Sequence, residues 1–548
     1  MKLIIFLLRA SWRIALLAGL IGAASGGASA ALVAVISRTL EGAERSSAHL
    51  IGLFAALCLV ILLTRIASHI LLFRLTVNST SKLRLGLCER ILKSPLRHLE
   101  EIGEHRMLAS LTNDVTVVSQ AMNGVPTLGI DVAILICGAV YLGSLSLTLM
   151  AGAVAFCLLG VAIYWYSSQW ADRYVERARM AQDELFKDIR DLIEGIKELK
   201  THHHRRRAFF AGVTQSEGVV RERQFLGECL YDAAVAWGRL MFFAAIGLLL
   251  FVWPRIARVE PETLSAYTLT IFYLMSPLEQ IMNWLPTMAW ASTSVAQIER
   301  LGLTLDEQDP EATTLTPLPH WEQIELAGVT HTYRREGQPN DFVLGPIDIT
   351  FAPGEIVFIV GGNGSGKTTL AKLITGLYLP EDGEIYVDDQ PIGALNRESY
   401  RQLFSVVFDG AVVFDKLWGL DAADLDRRAQ QYLRELRLDH AVSVADGTLS
   451  TTNVSRGQRK RLALLTAYLE DRQVYVFDEW AADQDPAFRK VFYLRLLPEL
   501  KRRGKTVIAI THDDRYFASA DRIIKLEEGK VVETFQHESL QPAARESL

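Results

Sequence analysis

Six long apolar runs in the first 300 residues constrain this chain more than any other feature. They lie at about 14–37, 50–73, 125–143, 147–168, 230–253 and 263–285. Each is long enough, or nearly so, to cross a hydrocarbon layer about 30 Å thick. Lipid offers the backbone no hydrogen-bond partner, so such segments must close their own bonds as helices. A soluble fold would need all six in one compact bundle. The mean hydropathy of +0.17 conceals a division, because the chain beyond residue 300 reads as an ordinary soluble domain.

The links between runs alternate in character. The first is short and carries Glu41, Glu44 and Arg45. The second run is followed by a long polar stretch with Arg74, Lys82, Arg84, Arg90, Lys93, Arg97 and Arg106. Another follows the fourth run, with Arg173, Arg177, Arg179, Lys187, Arg190, Lys197, Lys200 and Arg205–Arg207. Excess Lys and Arg marks cytoplasmic links. An even number of spans then puts the N-terminus and the C-terminal domain on that same side. The basic, apolar start lacks a clear small-residue cleavage site and reads as an amphipathic lead-in to the first span. Leu185, Ile189, Leu192 and Ile196 recur at helical spacing, so 181–200 is expected to extend a span below the bilayer.

Some polar residues are more ambiguous. Three adjacent histidines in His202–Arg207 cannot share one helical face, and no partner ligands accompany them. A charge cluster facing solvent or lipid headgroups is favoured over a metal site. Cys58, Cys88, Cys137, Cys157 and Cys229 form no close pair, so reduced thiols are expected. Within or near the spans lie Arg65, His69, Asp131, Glu279, Gln280 and Asn283, with Pro277 expected to kink the sixth. Charges there should face a cavity or an interface. Arg65 and Glu279 can be read as substrate contacts or as members of structural pairs.

The soluble part carries the chemistry. GEIVFIVGGNGSGKTTL at 354–370 places an apolar strand before Gly361–Lys367 and Thr368, fitting the phosphate-binding pattern G-x-x-x-x-G-K-[ST] in its strand–loop–helix setting. Gly361, Gly362, Asn363, Gly364, Ser365 and Gly366 would curl around phosphate, with Thr369 following in the helix. Lys367 would hold the terminal phosphates and Thr368 would serve Mg2+. In VYVFDE at 474–479, a buried strand would deliver Asp478 towards Mg2+ and Glu479 towards the attacking water. A further strand, TVIAIT at 506–511, leads to His512.

These elements together resemble ABC proteins. VSRGQ at 454–458 is similar to the LSGGQ signature, and 479–485 is similar to the segment running from the Walker B glutamate to the D-loop. The whole chain resembles a type IV exporter half-transporter: six helical spans fused to an α/β P-loop nucleotide-binding domain. The expected division is 1–300 for the membrane domain, 301–320 for a linker and 321–548 for the nucleotide domain. The resemblance implies ATP and Mg2+ as cofactors, Tyr333 stacked on adenine, and His512 as the switch histidine. It also implies a second copy of the chain, whose Ser455, Gly457 and Gln458 would complete each nucleotide site. The sequence departs from the family at Asp409, where the Q-loop glutamine is expected, and at Arg456, where the signature usually has glycine. Asp409 retains oxygens able to serve a metal or water. The short stretch from Asp409 to Ser455, SRGQRKRLALL at 455–465 and DEWAADQDP at 478–486 resemble a narrower group. These are the cyclic-peptide and siderophore exporters of Gram-negative bacteria, including transporters of pyoverdine biosynthesis and microcin export. Membership would imply export of a peptide siderophore precursor across the inner membrane, with lipids and the cargo as partners and no nucleic acid. Other toxic peptides, lipids or drugs are alternative cargoes with the same catalytic residues.

Overall fold

The computed structural model describes residues 20–22, 24–37, 39, 48–256, 260–300, 320–333, 342–420 and 423–536. The chain forms two compact units: Met1–Glu89 with His105–Thr304, and Arg90–Glu104 with Leu305–Leu548. The link holding Glu41, Glu44 and Arg45, and most of the expected linker, lie outside the described residues.

The first unit is helical among the described residues. Its elements are α1 (Leu20–Ser37), α2 (Ala48–Lys93, which enters the second unit at Arg90), and, after α3 (Leu96–Ile102) of the second unit, α4 (Glu104–Ala109). A π turn at Ser110–Asp114 then leads into α5 (Val115–Leu145), followed by α6 (Leu147–Glu194), α7 (Ile196–Thr201) and α8 (His203–Gly247). A second π turn, Leu248–Val252, precedes α9 (Trp253–Ile256) and α10 (Pro261–Arg300). Over their described residues, all six expected runs fall on helices. Among the described residues, four helical stretches are long and apolar enough to cross a membrane: Leu20–Ser37, His49–Lys93, Arg106–Leu145 and His203–Arg255. The fourth run gives the shorter apolar stretch Leu147–Ile163 on α6, and the sixth lies on the more polar α10. α10 runs through Pro277 without a break in helix.

Local chemistry explains the junctions. Ser146 leaves the helical region (φ -163°, ψ 118°) and divides α5 from α6. Buried Tyr267 reaches this turn from α10, its hydroxyl 2.5 Å from the Leu142 carbonyl and 2.6 Å from that of Ser146. The expected long helix through 181–200 stops at Gly195 and resumes as α7. His202 is extended (φ -127°, ψ 101°) and lies just before α8, so the histidine run straddles a helix junction. α1 approaches α5 closely at Gly26, where a Cβ would lie 3.0 Å from the Ala133 backbone. Small residues permit such backbone contact when lipid provides no hydrophobic drive.

The second unit contains two main sheets. One is antiparallel, in the order β2 (Phe342–Phe351), β1 (Ile324–Tyr333), β4 (Asp382–Val387), β5 (Gln390–Pro391). The other has the order β12 (Lys530–Gln536), β11 (Arg522–Glu527), β3 (Ile356–Val360), β10 (Thr506–Ile510), β9 (Val474–Asp478), β6 (Phe404–Val407). All its neighbours are parallel except β11 and β12. Its central strands are continuous apolar runs because both faces are covered. Phe358, Phe477 and Ala509 enter one core, whereas Val357, Val476 and Ile508 enter the other. Packed around the sheets are α11 (Lys367–Ile374), α12 (Arg397–Arg401), α13 (Leu425–Glu435), α14 (Arg456–Glu470), α15 (Pro486–Val491) and α16 (Leu497–Arg502). Among the described residues, the short stretch before Ser455 holds α13 and the small hairpin β7 (Val444–Ala445)–β8 (Thr448–Leu449).

Candidate active site

The parallel strands deliver the motifs to one sheet edge. After β3, the chain curls through Gly361–Gly366 into α11. Gly361 has φ 154°, and a Cβ there would lie 2.1 Å from the Leu526 carbonyl oxygen. At Gly366, φ is 98° and a Cβ would meet Leu344 at 2.8 Å. Lys367 is buried, and its Nζ donates to the carbonyls of Gly361 (3.0 Å) and Gly362 (2.9 Å). Burial lowers the ammonium's pKa, opposed by the Glu479 and Asp478 carboxylates. The loop amides, α11 N-terminus and Lys367 together suit a polyphosphate.

Beside them, Thr368 Oγ1 donates to Asp478 Oδ2 at 2.9 Å. Asp478 ends β9 and is 1% exposed, and its Oδ1 is buried without a hydrogen-bond partner. Burial raises its pKa. Among the described residues no cluster of three or more His, Cys, Asp or Glu could hold a metal. Mg2+ in phosphate sites takes only one or two protein oxygens, completed by phosphate and water. The orphaned Asp478 oxygen next to the Thr368 hydroxyl fits that requirement.

Glu479 adopts a left-handed conformation (φ 46°, ψ 33°), which costs a non-glycine residue roughly 1–2 kcal/mol. Four contacts hold it. Its N–H donates to Ile510 O at 3.2 Å, its carbonyl accepts from Lys460 Nζ at 2.9 Å and from the Ala482 N–H at 3.2 Å, and Oε1 lies 2.9 Å from His512 Nε2. His512 follows β10, so two neighbouring strand ends make this pair. Trp480 packs behind it, 1% exposed and stacked on Phe492 with ring centroids 4.4 Å apart. Glu479 and His512 face a cavity of about 400 Å³ that also includes Thr511 and Arg489.

The signature segment is organised differently. Ser455 caps α14 in a reciprocal capping box: Gln458 N–H donates to Ser455 Oγ, and Ser455 N–H donates to Gln458 Oε1. Gly457 lies against the next loop, where a Cβ would be 2.8 Å from the Asp483 carbonyl oxygen. Tyr333 ends β1 and is 42% exposed. Asp409 follows β6, with Oδ1 2.8 Å from Lys460 Nζ and 3.6 Å from Arg456 Nη2. Lys460 holds the Asp409 carboxyl below the usual range against partial burial. The structure therefore assembles Lys367, Thr368, Asp478, Glu479 and His512, while the two departures, Asp409 and Arg456, meet each other.

The residues around Lys460 and those on α3 escaped the motif reading. α3 belongs to the nucleotide-domain unit despite lying early in the chain. Its Glu100 accepts from Lys372 Nζ at 2.7 Å and from the Tyr378 hydroxyl. Arg97 pairs with Glu381 at 2.6 Å and donates to Thr332 O at 3.3 Å. Lys372 lies on α11, the helix that begins at Lys367. Separations such as 272 residues between Glu100 and Lys372 leave no local signal.

Two family models match the chain. The ABC transporter transmembrane region covers residues 12–204, and the ABC transporter model covers 344–482. The chain is 37% identical over 531 residues to the ATP-binding protein SyrD of Pseudomonas syringae pv. syringae, covering 94% of this chain and 93% of that protein. It is 25% identical over 500 residues to an ATP-dependent lipid A-core flippase of Dechloromonas aromatica (strain RCB), covering 84% and 82%. The structure of a bacterial Atm1-family ABC exporter with ATP bound shares the fold, with a TM-score of 0.77 and 17% identity, over 97% of this chain and 96% of that one. With both halves matched in order and a relative aligned nearly end to end, this chain belongs to the ABC transporter family, as a multi-pass membrane exporter coupling ATP hydrolysis to transport.

Proposed function

We propose that the chain works as a homodimer in the bacterial inner membrane, exporting a peptide siderophore precursor from cytoplasm to periplasm. Resemblance to the cyclic-peptide and siderophore exporters carries the peptide class. The observation that narrows it is a cavity of about 540 Å³ along α1 and α2, where Arg65 and His69 stand one turn apart among Leu32, Cys58, Ile61, Leu62, Ile66 and Ile70. Such a wall suits an amphipathic molecule bearing a carboxylate. Glu279 supports a structural reading instead, because it is paired with Arg239 at 2.9 Å.

Each nucleotide would lie between the P-loop of one copy and Ser455, Gly457 and Gln458 of the other. Tyr333 would stack on adenine, and Lys367 would hold the terminal phosphates. Thr368 and Asp478 would bind Mg2+ with water, and Asp409, whose Oδ1 is paired with Lys460 and Arg456, is a further candidate ligand. Mg2+ supplies neutralisation of phosphate charge. Glu479 would accept hydrogen bonding from the attacking water, with His512 orienting the carboxylate and contacting the terminal phosphate. Water oxygen then joins the terminal phosphorus as the bridging bond to ADP breaks.

A lipid cargo is the second reading, favoured by the similarity to lipid A-core flippases and by the same cationic, apolar-walled cavity. Inside-out vesicles decide between them. ATP-dependent accumulation of a verified siderophore-peptide precursor, lost on Arg65→Ala, supports the peptide reading. Flipping of a fluorescent anionic lipid without precursor uptake overturns it.

A further inference from the structure

A buried cation lies beside the hydrolytic residues. Lys460 lies on α14, two residues beyond the signature's Gln458, and its side chain is 4% exposed. Its Nζ is 2.8 Å from Asp409 Oδ1 and 2.7 Å from Asp483 Oδ2, and it donates to the Glu479 carbonyl at 2.9 Å. At the other end of the same residue, the Lys460 carbonyl accepts from Trp480 Nε1 at 2.8 Å. One residue thus holds both the Glu479 carbonyl and the Trp480 indole. A buried ammonium needs such acceptors, because burial without compensation is expensive.

We propose that Lys460 is a positioning residue for ATP hydrolysis, fixing the strained backbone of Glu479 and tying it to Asp409 and Asp483. This rests on the reading of Glu479 as the residue that addresses water. The left-handed φ of Glu479 sets the direction of its side chain, so the carboxylate stays aimed only while the backbone is restrained. Its N–H is held by β10 and its Oε1 by His512, and its carbonyl is shared between the Ala482 N–H at 3.2 Å and the shorter bond from Lys460 at 2.9 Å, the one restraint that reaches it from α14. Asp409 and Asp483 keep the ammonium in place, and Arg456 bridges the same two acids at 3.6 Å and 3.1 Å. The aspartate and arginine at the two departure positions therefore belong to one charged arrangement around the glutamate's backbone. Asp409 acts on Glu479 through Lys460.

The test uses purified full-length protein in nanodiscs. Lys460→Met removes the ammonium while filling similar volume, and the acids it leaves retain access to water. Turnover should fall about 10- to 100-fold, the cost expected of a misaimed group, with KM for ATP changing less than about threefold. Lys460→Arg should recover most of the lost turnover. In a Glu479→Gln background, Lys460→Met should lower residual turnover less than about threefold, since the carboxylate it aims is already gone. Near-normal turnover of Lys460→Met overturns the proposal, as does a full multiplicative loss in the Glu479→Gln background. Parallel loss of ATP binding and thermal stability that Lys460→Arg fails to restore shows a merely structural lysine, and also overturns it. Glu479→Gln alone separates the underlying reading. Normal turnover there removes both ideas, whereas impaired Glu479→Gln beside normal Lys460→Met removes only the role of Lys460.

Discussion

Replacing Glu100 with alanine should loosen α3 from the nucleotide domain without touching the hydrolytic residues. Glu100 accepts from Lys372 and Tyr378, and the side chains of Lys372 and Glu100 are 20% and 38% exposed. Burial, together with the neighbouring carboxylate, pushes the Tyr378 pKa up, so the hydroxyl stays a donor. Hydrogen bonds to a charged group contribute about 1.5–3 kcal/mol each when sheltered. Solvent access reduces that, and we take about 2 kcal/mol for the pair. Leu96 packing against the core and the Arg97–Glu381 pair persist, so α3 should remain docked most of the time. A loss of about 2 kcal/mol corresponds to roughly 30-fold more frequent opening. Hydrogen-exchange mass spectrometry of peptides spanning 96–102 should show that acceleration, while basal ATP turnover stays within about twofold. Unchanged exchange would refute the docking energetics. Collapsed basal turnover would show that Glu100 supports the phosphate site directly.

Other outcomes follow from the site itself. Glu479→Gln should retain ATP binding and lose about 100-fold or more in turnover, measured by calorimetry beside an ATPase assay; near-normal turnover excludes the assigned role. Asn363→Cys combined with Arg456→Cys, in a protein lacking its five native cysteines and carrying Glu479→Gln, should crosslink between differently tagged subunits preferentially with ATP. Bonds confined to single subunits would contradict the two-copy site. Gly457 is unsuitable for this cysteine because a Cβ there meets the Asp483 carbonyl. Burial raises the Asp478 pKa, so protons compete with Mg2+ at less acidic pH than for an ordinary aspartate. Apparent Mg2+ affinity should fall on acidification in turnover titrations, beginning at less acidic pH than for an ordinary aspartate, and lose part of that dependence in Asp478→Asn; an affinity that rises on acidification contradicts the assignment.

The legible parts of this chain are those whose physics is local. A glycine-rich turn between an apolar strand and Lys367–Thr368 carries its geometry in consecutive residues. Asp478 and His512 were legible because each ends or follows a short apolar strand in a parallel sheet. The apolar runs located the membrane helices but not their ends, since α2, α6 and α8 continue well into polar sequence. Pairings across the fold were hidden. Glu279 gave no hint of Arg239, because the partner is 40 residues away on another helix. Asp409 and Arg456 each stood out as a departure, yet only the three-dimensional packing of α14 against the ends of β6 and β9 reveals Lys460 between them. Early residues 90–104 could not be assigned to the C-terminal unit from sequence, because their attachment depends on Glu100 and Arg97 meeting residues more than 230 positions later.

That last attachment changes where this protein can be cut and recombined. A hybrid joined in the 301–320 segment would take Lys372, Tyr378 and Glu381 from one parent and Arg97 and Glu100 from the other. Its two parts could each be intact and still meet with mismatched charges. Carrying 90–104 across with the donor's C-terminal domain preserves both pairs at the cost of two additional junctions, one in α2 and one at the start of α4. The natural unit of exchange is therefore discontinuous along the gene, and a nucleotide domain expressed from residue 321 onwards presents an uncovered seat where α3 belongs.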